Sequence, residues 1–72
     1  QGVADCCFES EQGLTVIDFK TDYIRTPEDI RLRAEYYRPQ LEAYSLALSR
    51  VLERSVTRRV LFFLTSGDSV EV

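Results

Sequence analysis

Residues 14–20 read Leu-Thr-Val-Ile-Asp-Phe-Lys, and this short stretch decides the fold. Branched and aromatic side chains are abundant in it, which is typical of a β-strand. Residues 2–9, Gly-Val-Ala-Asp-Cys-Cys-Phe-Glu, are also compatible with a strand, and the polar residues 10–13 between the two segments indicate a turn. The two segments therefore predict a β-hairpin with a loop of about four residues.

A helix is predicted after the hairpin, because helical periodicity runs from about residue 28 to residue 54. Thr26 is the expected N-cap and Pro27 the first helical residue. Pro39 interrupts the pattern, which predicts either a kink or a new helix near it. Beyond this proline, apolar side chains at three- and four-residue steps predict one buried stripe, made of Leu41, Tyr44, Leu48, Val51 and Leu52.

The last third of the chain predicts two further strands. Residues 60–64 form a continuous apolar run, which is typical of a strand covered on both faces, and residues 70–72 begin a last strand. The resulting order, β-β-α-β-β, is an α/β fold with a mixed sheet and a helix packed on it. No apolar run reaches the ~18 residues that a membrane span requires, so no membrane partner is expected.

Composition limits the possible classes of protein. The 72 residues make at most one small domain, and the absence of methionine predicts a processed chain or a piece of a larger protein. The first 22 residues carry five acids and one lysine, a net charge of −4, while the rest carries seven acids and eight arginines, a net charge of +1. The net charge of −3 therefore lacks the basic excess that is typical of nucleic-acid binding. The adjacent Cys6 and Cys7, with no histidine in the chain, predict buried, reduced core residues in a cytoplasmic protein.

Two aspartates and a lysine are the candidates for chemistry. Strand periodicity places Asp18 and Lys20 on one face, and a loop at residues 10–13 places Asp5 directly opposite Asp18. Facing carboxylates destabilise a strand pair unless a cation holds them, and hard divalent metals prefer such oxygens. A one-residue slip would separate the two aspartates onto opposite faces, so this interpretation depends on the loop length.

The helix offers a second polar group near the proposed stripe. Gln40 lies three residues after Tyr37 and four before Tyr44, and a primary amide on a buried stripe needs a hydrogen-bond partner. If the stripe packs on the sheet face of the two aspartates, Gln40 and Tyr44 point into one polar pocket.

Three motifs follow one another along the chain: Gly2-Val3-Ala4-Asp5, Val16-Ile17-Asp18-Phe19-Lys20-Thr21-Asp22 and Tyr37-Arg38-Pro39-Gln40-Leu41-Glu42-Ala43-Tyr44. In this order they resemble the motifs of RecB-type nucleases in the PD-(D/E)xK superfamily, and most closely those of the C-terminal nuclease domains of AddA-type helicase–nucleases. The resemblance extends from residue 1 to about residue 65.

The resemblance implies a restriction-endonuclease-like fold. Residues 1–72 would be the C-terminal portion of a single nuclease domain, truncated at its N-terminus. The implied activity is metal-dependent DNA phosphodiester hydrolysis, as an exonuclease of a bacterial helicase–nuclease that acts in double-strand break repair and recombination with a partner subunit. The earlier helical motif of the family and a Walker loop are both missing from these residues, so activity is expected of the full-length protein rather than of this fragment.

The resemblance also implies a role for individual residues. Asp5 and Asp18 would bind Mg²⁺ or Mn²⁺ together with the backbone carbonyl of Phe19. Lys20 would orient or activate the attacking water and stabilise the charge that develops on the phosphate. Two helix residues would position the DNA strand, and these are Gln40 and Tyr44.

Two alternative functions stay open at the level of sequence. One is a RecB-type nuclease without a motor, which sequence upstream of residue 1 would distinguish. The other is a degenerate nuclease fold that only binds DNA or a partner protein. The intact set of Asp5, Asp18 and Lys20 argues against degeneracy.

Overall fold

The structure is a computed structural model that describes the backbone of residues 2–72 and the side chains of residues 6–72. Its elements are β1 (Gly2–Ser10), β2 (Gly13–Lys20), α1 (Pro27–Leu52), β3 (Val56–Phe63) and β4 (Asp68–Glu71). The four strands form one sheet in the order β1-β2-β3-β4, in which β2 and β3 are parallel and the other neighbours antiparallel. The predicted mixed α/β sheet and its element order are confirmed.

The hairpin has the predicted register and a tighter loop. Ser10 pairs with Gly13, so that residues 11–12 alone form the connection, and Asp5 pairs with Asp18 as expected. The observed loop has the same centre as the predicted four-residue loop. Residues 5–9 therefore pair with residues 14–18 in the predicted register.

Gly13 is the position where the turn requires glycine. Its φ is +138°, and a Cβ added there would lie 2.7 Å from the backbone oxygen of Ser55 and 2.7 Å from Cγ2 of Thr57. Both the backbone conformation and the neighbouring chain exclude a side chain at this position. Glycine thus lets the start of β2 approach the segment that leads into β3.

The start of α1 is fixed by a capping box, as the sequence predicts. Oγ1 of Thr26 accepts a hydrogen bond of 3.2 Å from the Asp29 amide, and Oδ2 of Asp29 accepts one of 3.2 Å from the Thr26 amide. Pro27 follows in the first turn, where its missing N–H leaves no bond unmade. These contacts fix the direction in which the chain leaves β2 and enters the helix.

One alternative for the helix is excluded and one expectation is corrected. The helix continues through Pro39 as one α-helix, so of the two alternatives at this residue the new helix is excluded. Its buried face consists of Ala34, Tyr37, Leu41 and Ser45, whereas Val51 is 76% exposed. Ala34 and Ser45 lie on the buried face although neither is a large apolar residue, so a count of large apolar residues places the stripe too far round the helix. Of the predicted stripe, Leu41 is buried, Leu48 is partly buried against the core, and Tyr44, Val51 and Leu52 are exposed.

The core lies between α1 and one face of the sheet, and its buried members are Val16, Ala34, Tyr37, Leu41, Leu61 and Phe63. The helix packs mainly on β3 and β4. On the opposite face of β3, Val60 and Phe62 are only half-buried, so the expected cover on both faces is wrong for the described residues. β3 also begins earlier than predicted, at Val56.

The cysteines differ from the expectation as well. Cys6 and Cys7 are both free thiols and both exposed. They lie in β1, which is an edge strand of the sheet, whereas α1 packs mainly on β3 and β4. The prediction of buried core cysteines is therefore wrong.

Candidate active site

Asp18 and Lys20 form a buried ion pair near the end of β2. Their side chains point to the helix-covered face, and Nζ of Lys20 lies 3.1 Å from Oδ2 of Asp18. Lys20 exposes only 2% of its surface and Asp18 only 4%. Burial of a charged pair costs several kcal/mol in lost hydration, and apolar residues of similar volume often serve stability as well or better. Stability alone therefore does not explain why a buried ion pair occupies this position.

The second oxygen of Asp18 is the unusual atom of this pair. Oδ1 is buried and has no hydrogen-bond partner in the part of the chain that the structure describes. An unpartnered carboxylate oxygen in a buried place is costly, and a cation is the ligand that it would attract. Asp5 stands opposite Asp18 in the strand pairing, and its side chain lies outside the described residues.

These features fit a divalent metal ion held by few protein ligands. Asp18 supplies a free carboxylate oxygen, and the register brings a second aspartate, Asp5, to the facing position. Phe19, predicted to contribute its backbone carbonyl, lies between Asp18 and Lys20, and its ring contacts Phe62 at 5.9 Å between centroids. Among residues 6–72 no group of three or more His, Cys, Asp or Glu side chains is arranged to hold a metal.

Tyr37 covers the lysine from the helix. The Lys20 ammonium nitrogen lies 4.3 Å from the centroid of the Tyr37 ring, within the range of a cation–π contact. The Tyr37 hydroxyl donates hydrogen bonds to both carboxylate oxygens of Asp22, each at 2.9 Å. Arg33 lies at the edge of this group, with Nε 3.8 Å from Oδ2 of Asp22.

The tyrosine and the aspartate shift each other's ionisation. Burial, and then the nearby Asp22 carboxylate that accepts its hydrogen bond, raise the pKa of Tyr37 to about 12. Burial acts to raise the pKa of Asp22, but the hydrogen bond from Tyr37 is among the interactions that outweigh it and lower that pKa. Tyr37 is therefore a neutral donor and Asp22 an ionised acceptor at pH 7.

Gln40 and Tyr44 differ from their expected surroundings. Both are exposed, Tyr44 by 38%, so they do not lie on the buried stripe of α1. They are four residues apart and therefore share one helix face, next to the face that buries Tyr37 and Leu41. Their exposure leaves both side chains available to a ligand beside the site.

Sequence reasoning missed the combination of Tyr37 with Asp22. Both residues lie within the motifs that carry the resemblance, but the sequence alone assigned neither of them a role in the site. One signal was available, because a buried tyrosine hydroxyl usually needs a partner and Asp22 is the first acid after the strand that carries Lys20. The two residues are 15 positions apart in the sequence, so spacing alone does not indicate their contact.

Comparison with known proteins identifies the family. A profile described as the PD-(D/E)XK nuclease superfamily matches residues 1–71. The chain belongs to this superfamily. The order of its elements and its four-stranded mixed sheet agree with that assignment.

Three curated relatives of this PD-(D/E)XK chain share one protein name. The chain is 37% identical over 71 residues to a protein of Thermoanaerobacter sp. (strain X514) that is named as a subunit of an ATP-dependent helicase/nuclease. Proteins of the same name from Clostridium botulinum strains Loch Maree and Hall are 35% and 36% identical over 72 residues. The matches cover 99–100% of this chain and 5–6% of each relative, so the chain spans a small part of their length.

No helix among residues 2–72 of this PD-(D/E)XK chain has the length and apolar character that crossing a membrane requires.

Proposed function

We propose that this chain carries catalytic residues of a metal-dependent DNA nuclease. The observation that supports it most is the Asp18 carboxylate, which pairs with Lys20 through Oδ2 and leaves Oδ1 buried without a partner among the described residues. A carboxylate with one free oxygen, opposite a second aspartate and beside an ammonium, suits the hydrolysis of a phosphodiester. Membership of the PD-(D/E)XK superfamily agrees with this chemistry.

The proposed metal ligands are Asp5, Asp18 and the backbone carbonyl of Phe19. Oxygen donors of this kind suit Mg²⁺ and also Mn²⁺. When bound, the ion would polarise a phosphoryl oxygen and lower the pKa of a coordinated water.

Lys20 supplies the positive charge of the site. Its ammonium lies 3.1 Å from the carboxylate of Asp18, so the two groups would meet the same phosphate. The ammonium would orient the attacking water and offset the negative charge that grows on the phosphate during attack. Near-complete burial strengthens this effect, because little water screens the charge.

Gln40 and Tyr44 are proposed to position the DNA strand. Both are exposed on one face of α1, next to the face that carries Tyr37 over Lys20. An amide and a phenol can hydrogen-bond to phosphate or sugar oxygens without reading the sequence. The role therefore fits a nuclease that acts on DNA of any sequence.

The name of the relatives, which joins a helicase to a nuclease, supports a proposal for the biological setting. We infer that the domain works as an exonuclease in a bacterial helicase–nuclease, with DNA as its substrate, the cytoplasm as its location and a second protein chain as its partner. Digestion of DNA ends beside a motor suits the processing of double-strand breaks before recombination.

The test compares nuclease and helicase activities of the complete natural protein. Lys20→Ala should abolish Mg²⁺-dependent DNA cleavage and leave ATP-driven unwinding intact, since the lysine belongs to the proposed nuclease site. Arg58→Ala is a matched control, because it removes an exposed cation paired with Glu71 at 3.2 Å on β3 and β4. Cleavage by the Lys20→Ala protein would refute the proposal, and loss of cleavage and unwinding together would indicate a structural lysine. A wild-type protein that binds DNA without cutting it would support the degenerate fold instead.

A further inference from the structure

The Lys20 ammonium is held between two unlike groups. Oδ2 of Asp18 lies on one side at 3.1 Å, and the Tyr37 ring lies 4.3 Å away measured to its centroid. A lysine has a flexible four-carbon stem and three N–H donors, so its head group needs neighbours that fix its place. A ring face attracts the charge without accepting a conventional hydrogen bond, which leaves N–H donors for a substrate oxygen.

The ring itself is fixed at both ends. Its backbone end belongs to α1, and its hydroxyl donates to both oxygens of Asp22 at 2.9 Å. Asp22 is in turn attached to the end of β3, because the Thr65 hydroxyl donates a 2.7 Å hydrogen bond to its backbone carbonyl. Tyr37 also contacts Tyr36 edge to face, with 5.0 Å between ring centroids. The ring therefore has little freedom to rotate or to slide away from the lysine.

We propose that Tyr37, anchored by Asp22, is a positioning residue that holds the Lys20 ammonium in place for phosphodiester hydrolysis. The inference rests on the proposed nuclease function of Asp18 and Lys20. Tyr37 acts through the lysine, and Asp22 acts through Tyr37. The clamp formed by these two residues adds a contact from α1 to a catalytic group on β2.

The experiment measures kcat and KM for cleavage of linear DNA by the complete natural protein. Tyr37→Leu removes the aromatic ring that contacts the lysine. Misplacement of a catalytic group can lower the reaction rate ~10- to 100-fold, so kcat should fall by that factor while KM for DNA changes little. Tyr37→Phe keeps the ring and removes only the anchor, so it should lose less. Asp22→Ala removes the acceptor of the Tyr37 hydroxyl and should resemble Tyr37→Phe. The combined variant should be no worse than either alone, because both remove the same connection.

Tyr23→Leu is the matched control. Tyr23 is next to Asp22 in sequence and 77% exposed, so its loss should leave kcat within about twofold. Hydrogen exchange of α1 and β2 in each variant separates positioning from unfolding, because a lost clamp lowers kcat while these elements stay protected.

Three results would overturn the inference while the proposed function stands. The first is an unchanged kcat in Tyr37→Leu. The second is a loss of kcat in this variant that occurs only together with faster hydrogen exchange of β2. The third is a rise in kcat, which would mean that the ring obstructs the lysine. Each applies when the wild type cleaves DNA and Lys20→Ala does not. If Lys20→Ala still cleaves DNA, the proposed function fails first.

Discussion

Removal of the ammonium from the buried pair is the perturbation that follows most directly from the structure. Lys20→Met keeps a long unbranched side chain under Tyr37 and deletes the charge. The Asp18 carboxylate then lies 4% exposed with neither oxygen on a cation. We expect this variant to be strongly destabilised when divalent metal is removed with a chelator.

The size of the effect follows from the distance and the burial. Two unit charges 3.1 Å apart attract by about 5 kcal/mol at an effective dielectric constant of ~20. Loss of one partner from a buried pair typically costs about 3–5 kcal/mol, since the remaining charge stays dehydrated. Replacement of both partners in Asp18→Asn/Lys20→Met should recover most of this loss, because no bare charge then remains.

Hydrogen exchange followed by mass spectrometry gives the local opening free energy of β2 in the complete protein. Arg58→Met is the control, because the Arg58–Glu71 pair is more than half exposed on both sides and its loss should cost less than about 1 kcal/mol. An effect of Lys20→Met as small as that of the control would refute the reasoning, as would a double variant no more stable than the single one.

Three further predictions concern other parts of the chain. Gly13→Ala should lower the opening free energy of the hairpin by more than about 1 kcal/mol, because φ is +138° and the new Cβ would collide with the backbone of Ser55. Unchanged hydrogen exchange in β1 and β2 would contradict this prediction. Gln40→Ala should reduce cleavage of DNA with a stability change within about 0.5 kcal/mol, since the side chain is exposed; full activity would contradict the positioning role. Tyr37 has a pKa of about 12 in the folded protein and 10.0 as its ordinary value, so its bound proton stabilises the folded state fully below pH 10 and this contribution disappears as the pH rises through 12. Urea unfolding of wild type and Tyr37→Phe should therefore differ by a constant amount between about pH 7 and pH 10 and by less above pH 10. A difference that grows above pH 10 would contradict the assignment.

The sequence predicted the sheet well because its signals were local. The turn at residues 10–13 and strand periodicity were enough to place Asp5 opposite Asp18, and the backbone pairing has this register. The start of the helix was equally predictable, since Thr26 and Asp29 satisfy a capping box within four residues.

The helix face and the surroundings of the lysine were less predictable. Apolar residues flank the buried face of α1 on both sides, so their spacing alone could not decide which of Ser45 and Tyr44 was inside. The contact between Tyr37 and Asp22 joins residues far apart in sequence, and only the packed fold brings them together. The catalytic, metal-binding and DNA-positioning roles stay predictions, and they concern Asp5, Asp18, Phe19, Lys20, Gln40 and Tyr44.

Binding of Mn²⁺ tests the central claim most directly. Isothermal titration of the nucleotide-free complete protein with Mn²⁺ should detect a site that Asp18→Asn removes, because the free Oδ1 of Asp18 is the proposed ligand. Glu71→Gln, which changes an exposed carboxylate on β4, should bind as the wild type does. A wild type and an Asp18→Asn variant that bind equal amounts of Mn²⁺ with equal affinity would contradict the proposed metal site.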